Sequence, residues 1–199
     1  MIALAWPGNT PMRKAVNGNW LNLPCRDRLF SAVLGDGSLN CLDYPQGYRR
    51  LYEQLGRVLL PEAKLAIRCY VTPDSCETLA VVREQTMAGR RRGFHALKWR
   101  LAMAIAAERS DPNVPVWLIR DVFNREFPDR ARLVQATNWS EEEISEIDDY
   151  RDAVEIFSFP TRQQLLAVVP DAFAKPRFAA SGTYELADHC PLLVMELKS

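Results

Sequence analysis

The stretch from residue 29 to residue 71 limits the possible folds more than any other part of the chain. Residues 29–34 form an apolar, β-tolerant run closed by Gly35. Tyr48, Leu51, Tyr52, Leu55, Val58 and Leu59 then recur at the spacing of one helix face, and Pro61 is read as the stop. Residues 65–71 make a second strand-like run, ended by Pro73. A strand, a helix and a strand within about 40 residues form a βαβ unit, which requires parallel strands and a right-handed crossover. Ligands of such sheets bind beyond the carboxyl ends of the strands. The knot Gly35-Asp36-Gly37-Ser38 stands at one of these ends. It is either a plain strand-to-helix loop or a place where a missing Cβ lets a ligand approach the backbone.

The rest of the chain changes character twice. Residues 1–6 read as the tail of a helix stopped by Pro7-Gly8, and residues 14–16 as a short strand running into Asn17-Gly18-Asn19. From 77 to 157 the pattern is helical. Phe94, Leu97, Leu101 and Ile105 share one face, and His95, Lys98 and Trp99 share another. Ser140 with Glu143, and Thr161 with Gln164, have the spacing of capping boxes. Residues 173–180 and 192–197 read as an antiparallel strand pair around a connection containing Gly182. The expectation is one α/β domain over 1–199: an α/β part (1–76), a helical insert (77–157), and a C-terminal helix with a strand pair (158–199). Basic residues crowd 81–109 and acidic ones 141–155. The two runs either face each other or face water.

Composition excludes several classes. Lys plus Arg and Asp plus Glu are both 25, so the surplus cations of a general nucleic-acid or anionic-membrane binder are absent. The apolar run 101–107 is too short to span a bilayer, and the first residues lack the pattern of a signal peptide. The five cysteines include no C-x-x-C and there are only two histidines, so no zinc site is expected. Reduced thiols and a cytoplasmic location follow as expectations.

Taken in order, the pieces resemble the later part of a class I S-adenosylmethionine-dependent methyltransferase. Gly18-Asn19-Trp20-Leu21-Asn22-Leu23-Pro24 matches the family's G-D-A-x-x-L-P-like stretch after the third strand. "FSAVLGDGSL" resembles the fourth strand and its loop. "RVLLPEAKL" resembles the R-V-L-x-P-G-G-x-L junction into the fifth, with Glu62-Ala63 in place of Gly-Gly. "YELADHCPLLVMEL" resembles the closing strands. The resemblance covers residues 1–72 and about 158–199 and implies a partial Rossmann-like sheet containing the third to seventh strands. Family strands lie in the spatial order three, two, one, four, five, seven, six. With Glu62-Ala63 at the junction, a turn of a different shape is expected.

The resemblance implies S-adenosylmethionine as cofactor, with Asn19, Trp20, Gly35, Asp36 and Gly37 around it. Asn19 would meet the adenine edge. Trp20 would wall the pocket or serve as a core aromatic, and Tyr44 beside the loop has the same two readings. Arg68, His95, Lys98 and Trp99 are the candidates on the side of an unknown acceptor, for which a small molecule is favoured. His95 and His189 are the candidate bases, or simply structural histidines, and the catalytic residue is unknown. The family's first strand, its glycine loop and the acid ending its second strand would precede residue 1. The chain is therefore expected to be a truncated, impaired methyltransferase. Its fourth strand would become an open edge, inviting self-association. The alternative is a non-catalytic α/β module that binds a partner through its charged helices. No dinucleotide fingerprint supports a dehydrogenase, and no G-x-S-x-G supports a hydrolase.

Overall fold

In the βαβ unit, β1 (Phe30–Asp36) and β2 (Leu59–Arg68) are joined by helix α1 (Gln46–Val58). The computed structural model describes residues 8–90 and 93–199. The two strands are parallel, with Val33 opposite Leu65 and Asp36 opposite Arg68. α1 lays Leu51, Leu55 and Val58 on the sheet and buries the Tyr48 and Tyr52 rings. The closing pair is β5 (Phe173–Ala179) and β6 (Leu192–Leu197), antiparallel as expected. β6 inserts between β2 and β5, so the sheet order is β1-β2-β6-β5. This is the order stated above for strands four, five, seven and six.

α1 and α7 (Arg162–Ala167) cover one face of this sheet, packing on Leu65, Ile67, Leu193 and Met195. The opposite face carries rows that run across the strands. Leu34, Ala66 and Val194 make one; Asp36, Arg68 and Leu192 make the next. Leu34 in the first of these rows is 84% exposed.

The insert has its own core. Helices α2 (Leu79–Met87), α3 (Phe94–Arg109), α4 (Val116–Glu126), α5 (Arg130–Thr137) and α6 (Glu141–Ser145) enclose Leu97, Leu101, Ile119, Phe123, Leu133 and Ile147. Both capping boxes form, on α6 and α7. The basic and acidic runs touch where Lys98 reaches Glu146 at 3.1 Å. Arg91 and Arg92 of the basic run lie outside the described residues.

Three expectations need correction. The third strand at 14–16 does not form. Residues 8–28 make only the isolated bridges Thr10↔Arg13 and Asn19↔Asn22. A three-residue strand has no stability without a paired neighbour, and β1 takes no partner on that side among the described residues. The insert is not purely helical either. β3 (Asn113–Pro115) and β4 (Ile156–Ser158) pair antiparallel across it. These strands are too short to leave a period in the sequence. The expected helix tail at 1–6 lies outside the described residues.

The third correction concerns the junction into β2. α1 stops at Val58, ahead of Pro61, and Leu59 already pairs with Phe30. The register then jumps, so that Ala32 faces Lys64, and Pro61 sits inside this bulge where no ladder N–H is required. Glu62 has φ +63°, a left-handed backbone conformation that favours glycine. The glutamate carries the strain of this left-handed position. A non-glycine residue there costs about 1–2 kcal/mol, partly offset by the ~0.5–1 kcal/mol that a glycine loses in chain entropy. Glu62→Gly is thus expected to stabilise the protein by about 0.5–1 kcal/mol, seen as a raised urea midpoint at unchanged slope. A lowered midpoint would show that the bulge relaxes around glutamate.

Candidate functional site

The carboxyl ends of β1 and β2 bring Asp36 and Arg68 into register, and the two side chains bind each other. Arg68 Nε donates to Asp36 Oδ1 at 2.6 Å and Nη2 donates to Oδ2 at 2.7 Å. This is the bidentate fork geometry that suits arginine to a carboxylate. Arg68 Nη1 also donates to the Tyr184 hydroxyl at 3.2 Å, and that hydroxyl lies 2.6 Å from Ser181 Oγ. The guanidinium carbon sits 5.4 Å from the Tyr184 ring centre and 6.0 Å from that of Tyr70. Arg68 is therefore held between two aromatic faces with its charge matched.

Both glycines of the knot have reasons within the chain. A Cβ on Gly35 would meet Ser38 Oγ at 2.7 Å and Ile67 at 3.1 Å. Gly37 has φ +64°, and a Cβ there would touch the Tyr70 ring at 3.0 Å. Close packing against the neighbouring strand and a left-handed turn account for them.

Beside the open edge of β1 lies a groove of about 350 Å³. Its walls are mostly apolar, from Trp20, Leu23, Phe30, Val33 and the inner face of α1, while Asp36 and Ser38 supply polar groups at one end. Trp20, Gly35 and Asp36 thus share one concavity. Asn19 is not among its lining residues: it is exposed, and its side-chain oxygen accepts from the Leu21 N–H at 2.9 Å.

The acceptor-side candidates divide into two places. The Trp99 ring stacks on Tyr70 with 4.9 Å between centres, which links the insert to Arg68 and Gly37. His95 and Lys98 converge instead on Glu146, at 3.6 and 3.1 Å. The Lys98 ammonium is buried between the Phe94 and Tyr150 rings, 5.2 and 5.6 Å away. His95 is exposed. His189 is half-buried, with a pKa lowered by burial and by Arg100. The Tyr44 ring packs edge-on against Tyr48 at 5.4 Å, and its hydroxyl donates to the Gln164 carbonyl.

Tyr70, Ser181 and Tyr184 were not anticipated at this site. The Tyr184 strap is fastened to the insert on its other side. Glu185 accepts from the Gly93 N–H at 3.0 Å, and Leu186 packs with Ala96 and Trp99. The one signal in the sequence was an aromatic placed two residues after Gly182. Among the described residues, no three His, Cys, Asp or Glu side chains gather as metal ligands, and no helix is long and apolar enough to cross a membrane.

No family model and no curated protein matches the chain. Several solved structures are similar at low identity. A protein of Pyrococcus horikoshii OT3 is 14% identical with TM-score 0.43, over 91% of this chain and 57% of its own. A SAM-dependent methyltransferase of Methanosarcina mazei is 12% identical with TM-score 0.42, over 91% and 65%. A putative sarcosine dimethylglycine methyltransferase of Galdieria sulphuraria is 12% identical with TM-score 0.32, over 91% and 57%. The chain therefore spans less than two thirds of the length of these proteins. At such identities and scores, no residue role carries over from them.

Proposed function

We propose that this chain carries the fourth-to-seventh-strand part of an S-adenosylmethionine-dependent methyltransferase, acting on an unknown acceptor. The observation that carries this reading is the sheet order β1-β2-β6-β5, with a parallel first pair and β6 inserted antiparallel between β2 and β5. S-adenosylmethionine supplies an activated sulfonium methyl group, so the protein's task is alignment and the exclusion of water. The residues present fit the cofactor in part. The groove lets an adenine lie against Trp20 and Val33, with Asp36 and Ser38 at its polar end. Asn19 lies outside the groove's lining, with its side-chain oxygen accepting from the Leu21 N–H. Gly35 and Gly37 keep the loop close to the sheet. On the acceptor side, Arg68, Tyr70 and Trp99 form a shelf suited to a small molecule. His95 and Lys98 stand apart from it, on the Glu146 side of α3. No general base is assigned.

The polar complement of the groove is small, and Asp36 already holds Arg68. Titration of the chain with S-adenosylmethionine, followed by calorimetry and tryptophan fluorescence, is expected to show a weak, saturable signal. That signal should disappear in Trp20→Ala and persist in Trp117→Ala. A complete lack of binding, or binding indifferent to Trp20, would count against the assignment. A tight one-to-one complex would show that the cofactor finds polar partners beyond Asp36 and Ser38. The Asp36–Arg68 pair also favours a second reading, a non-catalytic module whose strand-end site is closed by its own ion pair. That reading predicts no cofactor heat at all.

A further inference from the structure

The strap that carries Tyr184 lies between the sheet and the insert. Its far end is tied to the carboxyl end of β2. The Val71 N–H donates to the His189 carbonyl at 2.8 Å, and the Cys69 N–H to the Pro191 carbonyl at 3.0 Å. The strap is not at rest in this position. Leu186 is buried against Ala96 and Trp99 with φ +69°, a left-handed backbone that is costly for leucine. The His189 side chain lines a void of about 10 Å³ together with Pro73, Cys76, Glu77, Arg100 and Met103. Arg100 pairs with Glu77, but its Nε is buried and has no hydrogen-bond partner. The void thus sets a histidine opposite a donor that lacks an acceptor. A neutral imidazole offers such a donor a lone pair, whereas an imidazolium brings only N–H groups and a second positive charge.

We propose that His189 is a pH-sensitive latch: uncharged, it keeps the strap closed over Arg68, Tyr70 and Trp99, and its protonation lets the strap lift. The charges around the ring are Arg100 from α3, Glu77 from the loop before α2, Asp188 from the strap itself and Arg162 from α7. The Cys76 thiol, from the same loop as Glu77, is kept protonated by burial and adds none. Two cations and two carboxylates oppose each other. Burial, with Arg100 next, holds the imidazole below its ordinary value of 6.5. The lifted strap returns the ring to water and so binds the proton more tightly than the closed one. Closure is therefore complete above about pH 6.5 and is lost as the pH falls through the lowered value. Lifting takes Tyr184 off Arg68 and Leu186 off Trp99, and it relieves the leucine's backbone. The inference is independent of the methyl-transfer reading.

The chain has two histidines, so each can be followed by proton NMR in the whole protein, with His189→Gln as the assignment. His189 is expected to titrate below 6.5. The Val71 amide reports the strap by hydrogen exchange, corrected for the intrinsic rate and referred to the Leu65 amide of the same strand. Its exchange should rise about ten-fold between pH 7.5 and pH 5.5, one decade for each unit by which the two forms differ. His189→Gln, which stays neutral, should keep that rate flat. His189→Lys, charged throughout, should exchange fast already at pH 7.5, with an unchanged far-ultraviolet circular dichroism spectrum reporting an intact fold. A His189 that titrates at or above 6.5 would overturn the proposal. So would a Val71 rate with the same pH response in the parent and in His189→Gln.

Discussion

Replacing Asn40 with alanine is expected to destabilise the protein by about 3–5 kcal/mol, a large fraction of what a domain of this size has. Asn40 is 4% exposed and works with every polar atom of its amide. Its Nδ2 donates to the Tyr70 carbonyl at 2.8 Å and the Ser158 carbonyl at 2.6 Å, and its Oδ1 accepts from the Tyr70 N–H at 2.9 Å. Alanine would leave one N–H and two carbonyls unpaired, at about 1–3 kcal/mol each before relaxation. The position also joins the two cores. Asn40 follows β1, Tyr70 follows β2, and Ser158 belongs to the ribbon of the insert. The hydroxyl of Ser158 donates to the Leu42 carbonyl and lies 2.8 Å from the Tyr48 hydroxyl of α1. Urea unfolding should therefore show more than a lower midpoint. Trp99, Trp117 and Trp139 all report on the insert, so fluorescence and far-ultraviolet circular dichroism should cease to coincide in the variant. A loss under about 1 kcal/mol would mean that water takes over the amide's bonds.

Phe123→Ala is expected to cost a further 3–5 kcal/mol or so, and to act on the insert alone. The ring has no exposure. It meets Phe94 edge-on at 5.6 Å and Phe127 at 5.3 Å, with the Arg130 guanidinium 5.9 Å from its centre. Its removal leaves a cavity among helices that cannot close up without shifting α3, α4 and α5 together. Tryptophan fluorescence should change at lower urea than in the parent, while the sheet retains its exchange-protected amides. Trp117→Ala on the same helix is the control. Trp117 is 45% exposed, so its loss should cost far less. In a double variant the Asn40 and Phe123 effects should add, since the residues share no partner. A marked departure would show that the two cores unfold as one.

Much of the framework was legible because it is local. The face of α1 could be counted from Tyr48 to Val58, and the capping boxes at Ser140 and Thr161 needed only side chains three residues apart. The βαβ order dictated the parallel β1–β2 pair and put the knot at a strand end. The absent strand at 14–16 and the added ribbon β3–β4 were not legible. Three residues carry no period, and pairing depends on a neighbour distant in sequence. The candidate site divided in the same way. Gly35 and Asp36 could be placed at a carboxyl end from the chain alone. Neither the partner of Asp36, 32 residues away, nor the strap bearing Tyr184, 116 residues beyond Arg68, could be read along it.

The sequence by itself determined the long helices and the main strands, the capping boxes, the neutral charge balance and the direction of the first two strands. Each follows from periodicity, from short-range hydrogen bonding or from the handedness of L-residues. Only the tertiary structure decided that Asp36 is bound by Arg68 and that Lys98 answers Glu146. It also decided that Gly35 and Gly37 make room for Ile67 and Tyr70, and that Glu62 bears a left-handed backbone. These outcomes depend on which side chains the strand register and the sheet–insert contact bring together, and register is a collective property of packing that no single segment encodes.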